Sequence, residues 1–478
     1  MKVSQYFNLN KTQHELDFVD IDYEKDIPLF LDPYFFSINE DPWSLEASAI
    51  IQSFFQFVID LIIADKINDA EKLFYHLAEP NETCLGLSKS KPNGRGVGNL
   101  QAKQIFESLL ESKAVKSGLV EHLEDCKIFV KGIGKDKVSD MVTNILKKHL
   151  IDYTKSQCKL WDIPLISNVP TGYYWNKINK RWEATYGEYL IIENKKILLL
   201  PKGRVSRSDQ YSPEKYYNDF ILNYLQNEHL IMNSVLVNYR KNGTKYVNKK
   251  DIKEKEAPYT MEYLIQFTTN HPEIFNDFRK TIGRTMKPVK NNDLEEIKLK
   301  EIVEYLILKL TKISYGDNDA SIYHKAMTGI LELMFYPDLI CPKGEQKIHQ
   351  GRKRIDITFD NAAKTGFFHE LHDITKIPCS YIFIECKNYS KDPSNPELDQ
   401  LSGRFSINRG KFGLLVCRKF ENLKLFLNRC SDTYKDDRGL IIPLEDLDIL
   451  KLLEFIKNED SYSIAIFFRN RMREIILN

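Results

Sequence analysis

The tightest constraint on this chain comes from two short segments in its last third, both patterned as β-strands. Arg354-Ile355-Asp356-Ile357-Thr358-Phe359 alternates polar and apolar residues with a period of two. Tyr381-Ile382-Phe383-Ile384-Glu385-Cys386-Lys387 is apolar on both faces until its end, as a buried strand is. On the first, Arg354, Asp356 and Thr358 share one face; on the second, Glu385 and Lys387 do. If the two are neighbours, joined by the polar stretch 360–379, the Asp356 and Glu385 carboxylates converge beside one ammonium group. The plainer reading of such a pattern is a cross-strand charge pair at the surface.

Two carboxylates and a lysine suit metal-assisted phosphodiester hydrolysis. Attack on phosphorus builds negative charge on the phosphoryl and leaving oxygens. Magnesium, held by one or two carboxylates and keeping several waters, offsets that charge and supplies a bound water. A lysine beside it can orient or deprotonate the attacking water. The backbone carbonyl of Cys386, between the two functional side chains, offers a further metal ligand.

Asp356 followed by Glu385-Cys386-Lys387 resembles the PD-(D/E)xK nuclease superfamily, in its restriction-endonuclease-like and Mrr-like branch. The order of the flanking segments carries more weight than the three residues. Residues 396–405 read as a helix bearing Gln400, and a glutamine there contacts the site or the DNA in that family. Residues 411–418 read as a buried core strand, again in family order. Upstream, 320–335 is patterned as a helix carrying Glu332, where the family often places an acid, so the resemblance makes Glu332 a further metal or water ligand. Ile355 stands where the family name has proline.

The resemblance covers roughly a third of the chain. It implies a mixed sheet flanked by helices and a magnesium-dependent deoxyribonuclease, with manganese able to substitute. Asp356, Glu385, Lys387 and Gln400 are the expected catalytic set. Asp356, Glu385, the Cys386 carbonyl and Glu332 are the expected metal set. It also implies a role in bacterial restriction or antiphage defence, with a defence-system partner or a homodimer that cuts both strands. A ribonuclease or junction nuclease would use the same site, and an inactive fold kept for nucleic-acid binding or scaffolding is the reading from another class.

Net charge is +1 over 478 residues, so no global basic field advertises nucleic acid. Between 340 and 420, however, Lys and Arg outnumber Asp and Glu. Arg352, Lys353, Arg354, Arg404 and Arg409 are the expected phosphate contacts. The eight cysteines show no CxxC or other zinc spacing, which fits a reducing cytoplasm. Residues 1–6 lack a signal-peptide pattern. The apolar stretch 47–64 is interrupted by Gln52, Gln56 and Asp60, so a buried helix is expected there rather than a membrane span.

Three segments are expected: 1–163, mainly helical; 164–290, β-like and then helical; and 291–478, nuclease-like. Helices are expected from Pro42 and over 102–112, 138–156, 216–230, 261–284 and 292–313. The glycine-rich loop 88–98 lacks a GK[ST] ending, and a surface loop explains it better than a phosphate cradle. Loop 131–137 leads into the following helix, which Asp136 can cap, and anion binding at that helix N-terminus explains the loop equally well. Loop 201–207 joins Lys202, Arg204 and Arg207 and is either a nucleic-acid-facing loop or a basic turn before a helix. His369 and His372 have acids beside them, but a solvated connection explains them better than a metal site.

Overall fold

The computed structural model describes residues 1–77, 79–86, 95–207, 210–348, 353–389 and 393–477, with the backbone course alone for 95–101, 345–348 and 353–354. The chain is a mixed α+β protein: a mainly helical N-terminal region precedes a five-stranded mixed sheet flanked by helices.

The first core runs from Val3 to Val289 and takes in Ile340 and Cys341. Helix α1 (Pro42–Ile63) crosses it. Asp41 caps α1 by accepting from the Ser44 amide at 3.0 Å, and Pro42 supplies a preset φ in the first turn. Ala47, Ile51, Phe54, Phe55 and Val58 form its buried stripe, while Gln52, Gln56 and Asp60 face outward. Among the described residues, α1 is the one helix long and apolar enough to cross a membrane. Its stripe packs instead on the aromatic core.

Helices α2 (Lys135–Ile145) and α3 (Lys147–Leu160) replace the single helix expected over 138–156, because the backbone leaves helical geometry at Leu146. The cap of α2 is Gly134, with Asp136 in the first turn rather than at the cap. Strands β1 (Ile166–Asn176) and β2 (Arg181–Ile192) make a hairpin, and β3 (Lys195–Ile197) extends it. The cross-strand pair Trp175 and Trp182 packs on Phe54, at 5.1 and 5.5 Å between ring centres. Downstream, 261–284 also divides into two helices, because Pro272 starts a new one.

One core therefore unites the two segments expected to meet near residue 163. The reason is that the strands around 166–200 bury Trp175, Tyr189, Leu190 and Ile192 against the N-terminal helices.

The second core holds apolar residues from Ile302 to Ile475. Helices α4 (Leu299–Lys312) and α5 (Ala320–Phe335) precede the sheet. Its strands are β4 (Leu339–Ile348), β5 (Lys353–Asn361), β6 (Tyr381–Lys387), β7 (Phe412–Cys417) and β8 (Leu440–Glu445), in spatial order β8-β7-β6-β5-β4. Strand β5 pairs antiparallel with both β4 and β6, and β6, β7 and β8 are parallel. Helix α6 (Asn395–Ser402) connects β6 to β7, and α7 (Leu423–Lys435) connects β7 to β8. Helices α8 (Asp446–Lys457) and α9 (Ser461–Ile476) close the chain. All six residues of β7 are buried, as expected of a parallel strand covered on both faces.

Buried polar contacts join the two cores. The Asp17 carboxylate accepts from the Cys341 amide at 3.0 Å and the Tyr153 hydroxyl at 2.5 Å. Gln157 Nε2 donates to the Pro342 carbonyl at 2.9 Å. Lys202 Nζ meets Glu332 Oε1 at 3.1 Å with both side chains fully buried, and on the first core's side of this junction Arg204 pairs with Asp41. Loop 201–207 is thus no nucleic-acid face at Lys202 or Arg204. Isolated charges cannot be buried cheaply, so each is matched with a carboxylate where the cores meet.

Candidate active site

The β5–β6 register pairs Phe383 with Thr358 and Ile384 with Ile357. One step further along each strand, Glu385 stands across from Asp356, so both project from the same face of the sheet. The Cys386 amide fixes Asp356 by donating to its Oδ2 at 3.1 Å. Glu385 is fully buried, whereas Asp356 is partly exposed.

Two cations hold Glu385. Lys387 Nζ lies 2.6 Å from Oε1, and Arg404 Nη1 bonds Oε2. Lys387 also reaches the exposed Gln400, its Nζ 3.4 Å from Oε1. Gln400 rides on α6, whose start is fixed by Glu397 accepting from the Ser394 amide at 2.8 Å. The helix ends at Gly403, and the next residue is Arg404, 3 % exposed.

A second polar group lies just past the strand end. Asn388 Nδ2 donates to the carbonyls of Ser314 and Gly316 at 3.0 and 2.7 Å. Arg418, at the end of β7, donates to Asn388 Oδ1 at 3.3 Å and pairs with Asp446 at 2.9 Å. Tyr323 also donates to Asp446, at 3.0 Å, and burial pushes that carboxyl up to about 6.

Asp356, Glu385, Lys387 and Gln400 therefore come together, and three other expectations need correcting. Glu332 turns to Lys202 at the junction of the cores, because its helical position faces the first core rather than β6. Burial pushes its carboxyl up to about 8. Arg404 does not await phosphate on the surface; its guanidinium is buried on Glu385. The Arg409 carbonyl accepts from Tyr381, at the start of β6 and so ~20 Å of strand away from Lys387. The Arg409 Nε is bonded to Ser406 at 3.1 Å.

Arg352 lies outside the described residues, as do the side chains of Lys353 and Arg354 and most of loop 88–98. His369 pairs with Asp373 at 2.7 Å, and His372 Nδ1 accepts from the Cys379 amide at 3.1 Å. These local contacts account for both histidines.

The sequence reading missed His324, whose Nε2 meets the Cys386 carbonyl at 2.9 Å. His324 precedes Glu332 by eight residues on α5, ~12 Å along the axis. The helix does approach the motif strand, then, through a residue two turns before the one expected. No local period marks His324, since its neighbour Lys325 in the same half of α5 pairs instead with Asp162.

Among the described residues, no group of three His, Cys, Asp or Glu side chains converges to hold a metal. Magnesium needs only one or two carboxylates, with water filling its other positions. Asp356 and Glu385 meet that requirement in type and placement. Against it, Glu385 already has both oxygens on cations, and one lone pair of the Cys386 carbonyl faces His324.

Fold and site together define a mixed α+β protein with a carboxylate–lysine cluster at adjoining strand ends. A family model described as a domain of unknown function, DUF8370, matches residues 8–212, within the first core. No curated protein and no solved structure matches the chain.

Proposed function

We propose that the C-terminal sheet carries a metal-dependent endonuclease that hydrolyses DNA phosphodiester bonds. The observation behind this reading is the meeting of Asp356, Glu385, Lys387 and Gln400 on one face at the ends of β5, β6 and α6. Asp356 and Glu385 would hold the ion. Bound there, magnesium, or manganese in its place, offsets charge on the phosphoryl oxygens and provides an activated water. Lys387 holds the orientation of Glu385 and can position the attacking water. Arg404 limits the charge of Glu385, and its side chain must yield for that carboxylate to serve as a ligand.

The Arg404 contact also favours a second reading, a nuclease fold kept as a nucleic-acid-binding or scaffolding module. A carboxylate with each oxygen on a cation needs no metal for neutrality. One preparation separates the two. Labelled duplex DNA, RNA and branched DNA are incubated with magnesium or manganese, and Mn2+ retention is read by electron paramagnetic resonance. Magnesium-dependent cutting of duplex DNA, lost in Lys387→Ala, is expected. DNA bound but uncut, with no Mn2+ retained, would establish the second reading, and faster cutting of RNA or branched DNA would change the substrate class.

A further inference from the structure

A cleft of about 860 Å³ opens between the two cores, and none of the candidate active-site residues lines it. Its volume is that of a small-molecule site, which usually spans ~300–1,000 Å³. The apolar part of the lining comes from both cores: Met286 and Val289 from the first, Leu333, Met334 and Ile464 from the second, with Tyr336 beside them. Around it stand Arg284, Lys287, Lys290 and Lys364, and none of these four makes an ion pair among the described residues. Arg284 and Lys364 also line the adjoining cleft, which places them near one another.

Three carboxylates share the lining and offset part of this charge. Asp460 keeps its charge but is turned to cap α9, accepting from the Ser463 amide at 3.0 Å and its hydroxyl at 2.5 Å. Burial pushes Asp338 up to about 6, the mark of a dry stretch of wall. Four cations against three carboxylates, with Arg204 matched by Asp41, leave the lining net positive.

Two buried side chains on the lining keep an unused nitrogen. Arg204, 2 % exposed, spends Nη2 on Asp41 and Nη1 on the Gly203 carbonyl, while its Nε has no hydrogen-bond partner. His14, 3 % exposed, meets Asn292 through Nε2 and leaves Nδ1 without one. Partial burial and Arg204 outweigh Asp41 and Glu40 to lower the Lys364 ammonium pKa, so an anion arriving there would favour its charged form.

We propose that this cleft binds a phosphorylated small molecule of the nucleoside-phosphate class. Its phosphates face Arg284, Lys287, Lys290 and Lys364, and its flat base lies over the Met286–Met334 floor. A cation cluster alone would suit any polyanion. The apolar floor selects a ligand with a planar, poorly hydrated body, and a volume of about 860 Å³, that of a small-molecule site, favours a small molecule over a polymer.

Isothermal titration of the full chain in EDTA tests this without involving metal chemistry at the strand ends. The probes are ATP, adenosine, inorganic tripolyphosphate and a single-stranded oligonucleotide. One ATP per chain is expected, with adenosine and tripolyphosphate each at least about tenfold weaker. The double variant Arg284→Glu/Lys364→Glu should weaken ATP at least about tenfold, and Lys287→Glu alone should weaken it severalfold. All three positions are exposed and unpaired, so the melting temperature should hold. No ATP binding, or adenosine or tripolyphosphate binding as tightly as ATP, overturns the proposal. An oligonucleotide binding about tenfold tighter than ATP, with the same dependence on Arg284 and Lys364, overturns it in favour of a polymer site.

Discussion

Two lysine–glutamate pairs in this molecule look alike on paper and sit in opposite surroundings. Lys387 and Glu385 meet at 2.6 Å at the end of β6, and Lys202 and Glu332 meet at 3.1 Å where the cores join. Both glutamates are fully buried. The lysines differ: the Lys387 side chain is 11 % exposed and Lys202 is sealed. Lys202 is further fixed by the Gln13 carbonyl at 3.2 Å and by the Tyr336 ring, 4.2 Å from its ammonium. Lys387 instead has the exposed Gln400 beside it, across from the half-open Asp356. A sealed pair can hold two parts of a protein together, but it cannot meet a substrate. An open-edged pair can do chemistry, because something can reach it.

The largest expected effect lies on the sealed side. Above a pH of about 8, where Glu332 is ionised, Lys202→Ala leaves it buried without its counter-charge, and losing one partner of such a pair costs roughly 3–5 kcal/mol. Urea unfolding should show that loss directly. Lys202→Met/Glu332→Leu, which removes both charges and keeps volume, should recover most of it. If Lys202→Ala unfolds like wild type, water reaches the junction and the two pairs are not opposites.

Next comes the open side. Lys387→Ala should lower magnesium-dependent DNA cleavage by ~100-fold or more, the usual worth of a group that positions or moves a proton. Its stability should change little, because Arg404 still holds Glu385 and the lysine touches the surface. Cleavage rate and urea midpoint, measured on both lysine variants, should move in opposite patterns. A Lys387→Ala protein that cuts at the wild-type rate would remove the site assignment altogether.

This contrast also explains what the sequence could reveal. The alternation around Asp356 and the apolar run before Glu385 are local, period-two patterns, and they identify β5, β6 and the shared face. Helices α5 and α6 and strand β7 were legible for the same reason, since each is a continuous run with its own period. Strand β4 was not, because Pro342 and Gly344 interrupt it and a register shift separates Ile340 from Lys343. Glu332, Arg404 and Lys202 went astray for a different cause. Which charge meets which partner depends on contacts between residues far apart in the chain, and no local period encodes that. His324 was hidden similarly, its role being set by where α5 crosses the end of β6.

A pH series sharpens the comparison further. Burial raises Glu332 from about 4.5 to about 8, so between those values the folded chain holds a proton that the unfolded chain releases. The stability from this group is complete below about 4.5 and is lost as pH rises through about 8. The urea midpoint of wild type should therefore fall across that window, and Glu332→Gln should flatten the decline. An equally steep fall in Glu332→Gln would assign the pH dependence to another buried acid.

The smallest effect should come from Gln400→Ala. Its Oε1 lies 3.4 Å from the Lys387 ammonium, at the long end for a hydrogen bond, and the side chain is exposed. A weak hydrogen bond of ~0.5 kcal/mol corresponds to about a twofold change in rate. The kcat/KM of Gln400→Ala on the same duplex should thus stay within a few-fold of wild type, with unchanged urea unfolding. If Gln400→Ala instead loses as much as Lys387→Ala, the glutamine rather than Glu385 holds the lysine in its working position. Lys387–Glu385 would then be a resting contact to be broken before reaction, closer in kind to the sealed pair than its exposure suggests.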